Sequence, residues 1–142
     1  MAYLLDTDHV TLMQCRSLQA SALMRRLDAV PKDDVATSIV SFHEQMQGWL
    51  AYLNKASESS QVLQAFARLD EMRRAFEKLN VLLFDSPADV LYEGLRRKCR
   101  TVGTSDLRIA SIALATDSIL LTRNFADFSR VPGLRFEDWT TL

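Results

Sequence analysis

Cysteine is nearly absent from this sequence. Only Cys15 and Cys99 are present, without a Cys-x-x-Cys or Cys/His spacing, so a disulfide scaffold and a zinc ribbon are both excluded and two free thiols are expected. Glycine and proline are scarce as well, at four and three residues, and neither a fibrous repeat nor a disordered composition is present. No apolar run approaches the roughly 18 residues that a membrane-spanning helix requires. Met1-Ala2-Tyr3-Leu4-Leu5-Asp6 lacks the basic segment and long apolar stretch of a secretory signal. A cytosolic location with no membrane partner is therefore expected. An excess of charge of one sign is also missing: the formal net charge is −1, so any attraction to nucleic acid must come from a local patch.

What remains is a chain of 142 residues, 48% of them apolar. That is enough for one continuous core and too little for two comfortable domains, so residues 1–142 are read as a single domain. Tyr3 to Asp6 is a short apolar run ending in an acid, which suggests a buried strand whose C-terminal end meets solvent, with Asp8 capping a helix from His9. A helix is expected over Ser21 to Val30, closed by Pro31-Lys32-Asp33-Asp34, and a strand over Val35 to Ser38. Ser41-Phe42-His43-Glu44 has the form of a capping box opening a helix to about Lys55. After a serine-rich loop at Ala56 to Ser60, Val62, Phe66, Leu69, Met72, Phe76 and Leu79 form one apolar stripe on a second long helix, and the two helices should form a hairpin. Val81 to Phe84 reads as a strand, Ser86-Pro87-Ala88-Asp89 as a helix start, and Ser105-Asp106 as the start of a helix apolar almost all round. Ile119 to Thr122 and, at an edge, Leu134 to Phe136 complete the strands. This alternation argues for an α/β fold with a mostly parallel sheet of four to five strands flanked by helices, and in such sheets sites form beyond the carboxyl ends of the strands.

Asp6, Glu44, Asp106 and Asp127 fall where a parallel sheet can bring them to one rim. Each has an ordinary explanation alone: Asp6 as a strand-end turn, Glu44 as the return arm of its capping box, Asp106 as a charge at a helix N-terminus, Asp127 as a solvated acid. Together, without cationic partners, they would repel one another, and the usual remedy is a hard cation with oxygen ligands. Mg²⁺ or Mn²⁺ suits such a set better than zinc, since the only histidines are His9 and His43 and there is no thiolate cluster.

These residues sit in five ordered motifs: Leu4-Leu5-Asp6-Thr7-Asp8; Ser38 with Ser41, Glu44 and Gly48; Ser105-Asp106-Leu107-Arg108-Ile109-Ala110; Leu121-Thr122-Arg123-Asn124 with Asp127-Phe128; and Val131-Pro132-Gly133-Leu134 with Glu137-Asp138-Trp139. Over essentially its whole length the chain resembles the PIN-domain ribonucleases of the VapC toxin type, from type II toxin–antitoxin systems. The resemblance implies a PIN-like three-layer fold, Mg²⁺- or Mn²⁺-dependent endoribonuclease activity leaving 5′-phosphate and 3′-hydroxyl ends, a homodimer, and a small antitoxin partner. Asp6, Glu44 and Asp106 match its acidic positions. For the fourth, some relatives place an acid at the position of Asn124 and others at that of Asp127; Asp127 is assigned here, with Asn124 as a neutral contact. Asp8 stands where asparagine is more usual, and Gln45 where leucine is common.

In the chemistry this implies, Asp6 and Asp106 hold the ion, Glu44 and Asp127 position its waters or a second ion, and Thr7 and Ser105 are candidate hydrogen-bond donors to ligands or phosphate, capping being the other reading of Ser105. Arg96-Arg97-Lys98 with Arg100 is the densest basic run. It reads either as a solvated face near a helix C-terminus or as an RNA-backbone patch; Arg108 and Arg123 are further candidates. His43 reads as structural. Trp49, Tyr52 and Phe66 suit base stacking or, more commonly, a core or interface. The exposed side of the two long helices is the expected antitoxin surface. Three other functions compete: a PIN-domain RNA-processing nuclease without an antitoxin, a non-catalytic PIN scaffold, and a haloacid-dehalogenase-type phosphatase. The last fits Asp6-x-Asp8-x-Val10 but lacks the downstream lysine and Gly-Asp-x-x-x-Asp motif it needs.

Overall fold

The computed structural model of the chain describes residues 2–15 and 17–141, so the outer ends of the expected 1–142 domain lie outside the described residues. Five short strands, β1 (Tyr3–Leu5), β2 (Val35–Ser38), β3 (Asn80–Leu82), β4 (Ile119–Leu121) and β5 (Phe136–Glu137), form one sheet in the order β3-β2-β1-β4-β5. Every pairing is parallel. Such strands are too short to persist singly; their apolar side chains are covered on both faces, as parallel sheets require.

The two-residue period of β1 and β4 divides the core. Leu4 and Leu120, paired in register, join Leu95, Ile109, Ile112 and Phe128 on one face. Leu5 and Leu121 turn to the other, with Leu12, Leu23, Met72, Phe76 and Trp139. Helices α1 (Thr7–Met13), α2 (Leu18–Asp28), α3 (Ile39–Lys55) and α4 (Ser59–Glu77) precede β3, and α5 (Ser86–Lys98), α6 (Thr104–Ala115) and α7 (Phe125–Phe128) follow it. The result is the expected three-layer α/β architecture, with α3 and α4 as the predicted hairpin and α6 buried on most sides.

The structure shifts several helix starts. Asp6, not Asp8, caps α1, accepting from the His9 backbone at 2.8 Å. Ser38 rather than Ser41 caps α3, so Ser41 and Glu44 form no capping box. Asp85 caps α5, with Ser86 and Pro87 inside it, and Gly103 precedes α6, which makes Ser105 its second residue rather than its cap. Asp6 and Ser38 cap directly at the end of the strand they follow, Asp85 three residues beyond β3, and in all three the cap has extended backbone angles. The α4 stripe is interrupted at Phe66, which is 56% exposed. Among the described residues no helix is long and apolar enough to cross a membrane, and Cys15 and Cys99 are free thiols, one exposed and one buried.

Candidate active site

Because all five strands run the same way, the segments leaving β1, β2 and β4 emerge at one edge. Asp6 follows β1 directly and is 6% exposed. Glu44 lies on α3, one turn beyond its start, and α7 brings Asp127 back after β4. Asp106, in the first turn of α6, completes the group. Its carboxyl responds to all three others: burial first, then the charges of Glu44, Asp127 and Asp6, push it from the ordinary 3.8 up to about 6. Burial acts first, and the other three acids lie close enough for their charges to act on it as well.

Neutral groups hold two of these acids. The Thr7 hydroxyl donates to Glu44 Oε1 at 2.6 Å and lies 3.0 Å from Ser41 Oγ; Ser38 and Ser41 are fully buried behind it. Asn124 caps α7 by accepting from the Asp127 backbone at 3.3 Å, and its amide donates to Asp127 Oδ2 at 3.0 Å. The alternatives for the fourth position thus become a pair, the amide fixing the acid. Among the described residues no three Asp, Glu, His or Cys side chains already close on one point.

Asp8 does not add free negative charge to the rim. Arg123 holds it in a fork, Nε to Oδ2 at 2.6 Å and Nη2 to Oδ1 at 2.8 Å, a pairing between residues far apart in sequence that joins α1 to the loop after β4. Arg108 is drawn away from the acids, its guanidinium 5.0 Å from the centre of the Tyr92 ring and 5.7 Å from that of Phe84. Arg96, Arg97 and Lys98 occupy the last turn of α5. Arg96 is paired with Glu93 at 2.6 Å, and none of the run forms an ion pair with the four acids. The end of α5 does adjoin the segment after α7, where the Cys99 thiol meets the Arg130 carbonyl at 3.4 Å and Arg130 contacts Thr101. His43 is on the exposed side of α3.

Sequence reasoning missed two contributors. The Asp8–Arg123 fork was legible only as two separate charges. His9, read as a helix start, is fully buried beside Asp6, and only its position three residues after an acid hinted at this.

With this geometry in place, comparison with known proteins is decisive. Ribonuclease VapC1 of Haemophilus influenzae (strain R2866) is 30% identical over 146 residues, covering 99% of each chain. The chain belongs to the VapC ribonuclease family. A tRNA(fMet)-specific endonuclease VapC of Salmonella typhimurium is 36% identical over 66 residues, covering 44% of this chain and 50% of that protein. The solved VapBC-1 structure from nontypeable Haemophilus influenzae superposes with a TM-score of 0.74 at 24% identity, covering 99% of this chain and 100% of its counterpart. No family model matches the chain. VapC membership agrees with the all-parallel five-stranded sheet flanked by helices.

Proposed function

We propose that this chain is a metal-dependent endoribonuclease, the toxin of a toxin–antitoxin pair, and that residues 1–142 act as one domain. The observation that carries the reading is the placement of Asp6, Glu44, Asp106 and Asp127 at one edge of the parallel sheet, close enough for the other three charges to act on the Asp106 carboxyl. Packing gives no reason to gather four acids, whereas phosphodiester hydrolysis does. The donor set, all carboxylate oxygen with hydroxyl and amide support, fits Mg²⁺ or Mn²⁺. Asp6 and Asp106 would hold the ion. When bound, it supplies positive charge to the scissile phosphate and acidity to the attacking water.

The chain's own groups supply the rest. Thr7 occupies Glu44 Oε1, leaving Oε2 to orient or deprotonate water. Asn124 occupies Asp127 Oδ2, leaving Oδ1 for the same work. Arg97, Lys98 and Arg100 at the end of α5 are the cations available to RNA phosphates, whereas Arg96 is paired with Glu93 and Arg123 is tethered to Asp8 until a phosphate displaces it. Ser105 and Arg108 flank Asp106 on α6; Ser105 is offered to phosphate, whereas Arg108 supports the site from its aromatic seat. Asp8 acts through Arg123. The products would carry 5′-phosphate and 3′-hydroxyl ends.

The partner is proposed to be an antitoxin, as in the VapBC complexes that share this fold, with a homodimer in the cytoplasm as the working form. Leu50 on α3, and Leu63 and Phe66 on α4, are 44%, 71% and 56% exposed. They give the helical hairpin an apolar outer face suited to an amphipathic segment.

The deciding experiment treats a cellular RNA pool with purified, antitoxin-free protein and Mg²⁺ or Mn²⁺, against EDTA and Asp106→Ala controls. Discrete products that disappear in both controls are expected. Cleavage that persists in Asp106→Ala would refute the site, and a folded protein that binds metal but cuts nothing would favour the non-catalytic reading.

A further inference from the structure

His9 has no part in the chemistry above, yet its setting is unusual. It is 0% exposed, and among the described residues neither ring nitrogen has a hydrogen-bond partner of acceptable geometry. Buried polar atoms are nearly always paired, because leaving them so forfeits the hydration they had in the unfolded chain. A leucine or phenylalanine would fill the same space without that penalty.

What faces the ring is a carboxylate on each side. Nδ1 is 3.3 Å from Asp6 Oδ1, and Nε2 is 3.9 Å from Asp138 Oδ1. Asp6 Oδ1 also accepts from the His9 backbone at 2.8 Å, so one residue approaches the same oxygen from two directions and Oδ2 is the atom left over. Asp138 is held in turn. Its Oδ1 accepts from the Thr140 backbone at 2.8 Å and from the Thr140 hydroxyl at 2.5 Å, and Arg26 donates to its carbonyl at 3.2 Å. The adjoining Trp139 packs on Tyr3 with ring centres 4.5 Å apart. The Glu137-Asp138-Trp139 motif, which the nuclease chemistry does not use, therefore carries at its centre a braced carboxylate facing the imidazole.

We propose that His9 is a positioning residue: wedged between Asp6 and Asp138, its ring holds the Asp6 carboxylate so that Oδ2 is offered to the divalent ion, and it ties that orientation to the C-terminal segment. Supporting groups of this kind orient metal ligands and govern affinity. The inference rests on the metal-site reading above.

The test is direct titration of metal-free protein with Mn²⁺, followed by calorimetry, for wild type, His9→Asn, His9→Gln and His9→Leu. Each melting curve is recorded in EDTA to confirm folding. Asparagine places an amide N–H where Nδ1 stands, glutamine where Nε2 stands, and leucine none at all. His9→Asn should bind Mn²⁺ within about threefold of wild type, whereas His9→Leu and His9→Gln should lose about tenfold or more in affinity. If His9→Leu does not fold, the contrast between Asn and Gln decides. Equal weakening by Asn and Gln, or wild-type affinity in His9→Leu, would show that His9 only fills space. Wild-type protein that binds no Mn²⁺ would instead overturn the metal reading itself.

Discussion

An acid that keeps its proton to about pH 6 in the folded chain, but loses it near pH 4 in the unfolded chain, opposes folding over the interval between. Asp106 is such a group. Below pH 4 both states are protonated and its contribution is nil. As pH rises from 4 to 6 the unfolded chain releases the proton first, so stability falls, and above 6 the penalty stays constant. Asp106→Asn should therefore melt higher than wild type at pH 7.5 in EDTA, with the difference closing near pH 4. A gap independent of pH would mean that neither burial nor the neighbouring acids raise this carboxyl. The same substitution should abolish cleavage, so stability and activity move in opposite directions. Thr7 acts differently, because it carries no charge. Thr7→Val keeps its shape but deletes the 2.6 Å bond to Glu44. Turnover should fall about tenfold or more with little change in melting temperature, and Thr7→Ser should restore most of it. If turnover is retained in Thr7→Val, Glu44 needs no such anchor.

At the scale of elements, the sequence disclosed periods better than boundaries. The alternation of strand and helix, the bounds of β2 and the all-round apolar α6 were readable because side-chain spacing alone determines them. The caps of α1, α3 and α5 were not, since each start offered two or more capping side chains close together. The choice between Asp6 and Asp8, Ser38 and Ser41, or Asp85 and Ser86 is made by the extended backbone angles at the residue entering each helix, which composition does not encode. The acids were legible as a set because each sits within one of the ordered motifs. The Asp8–Arg123 fork and the His9–Asp138 contact were not, since in each the partners meet only after the chain folds. The C-terminal segment past β5 makes the same point in energetic form. Trp139 is 5% exposed and packs at a tilt against Tyr3 of the central strand, so this stretch covers part of one face of the sheet. Trp139→Ala should cost about 3–5 kcal/mol in urea unfolding; a loss below about 1 kcal/mol would show that the segment merely rests on the core.

For the whole molecule, charge is balanced in sum but not in place. A chain of net charge −1 gathers four acids at one edge of its sheet, where RNA must nevertheless bring its phosphates. A bound divalent ion would offset part of that charge, and the remaining attraction must come from cations not already engaged. Arg123 is committed to Asp8 and Arg96 to Glu93, whereas Arg97, Lys98 and Arg100 are exposed and form no ion pair among the described residues. They lie where α5 ends, against the segment that follows Asp127 and α7. If the RNA backbone crosses that end of α5, each of the three releases counterions on binding, and for a single strand each contributes about 0.7 to the slope of log affinity against log salt. Replacing all three by alanine should then lower the slope by about 2, measured by fluorescence anisotropy with an RNA oligomer and Asp106→Asn protein to prevent cleavage. The loss of affinity should be large at low salt and small at high salt. A variant with an unchanged slope would make the basic run a solvated helix end and leave Arg123, released from Asp8 by an arriving phosphate, as the cation that RNA meets first.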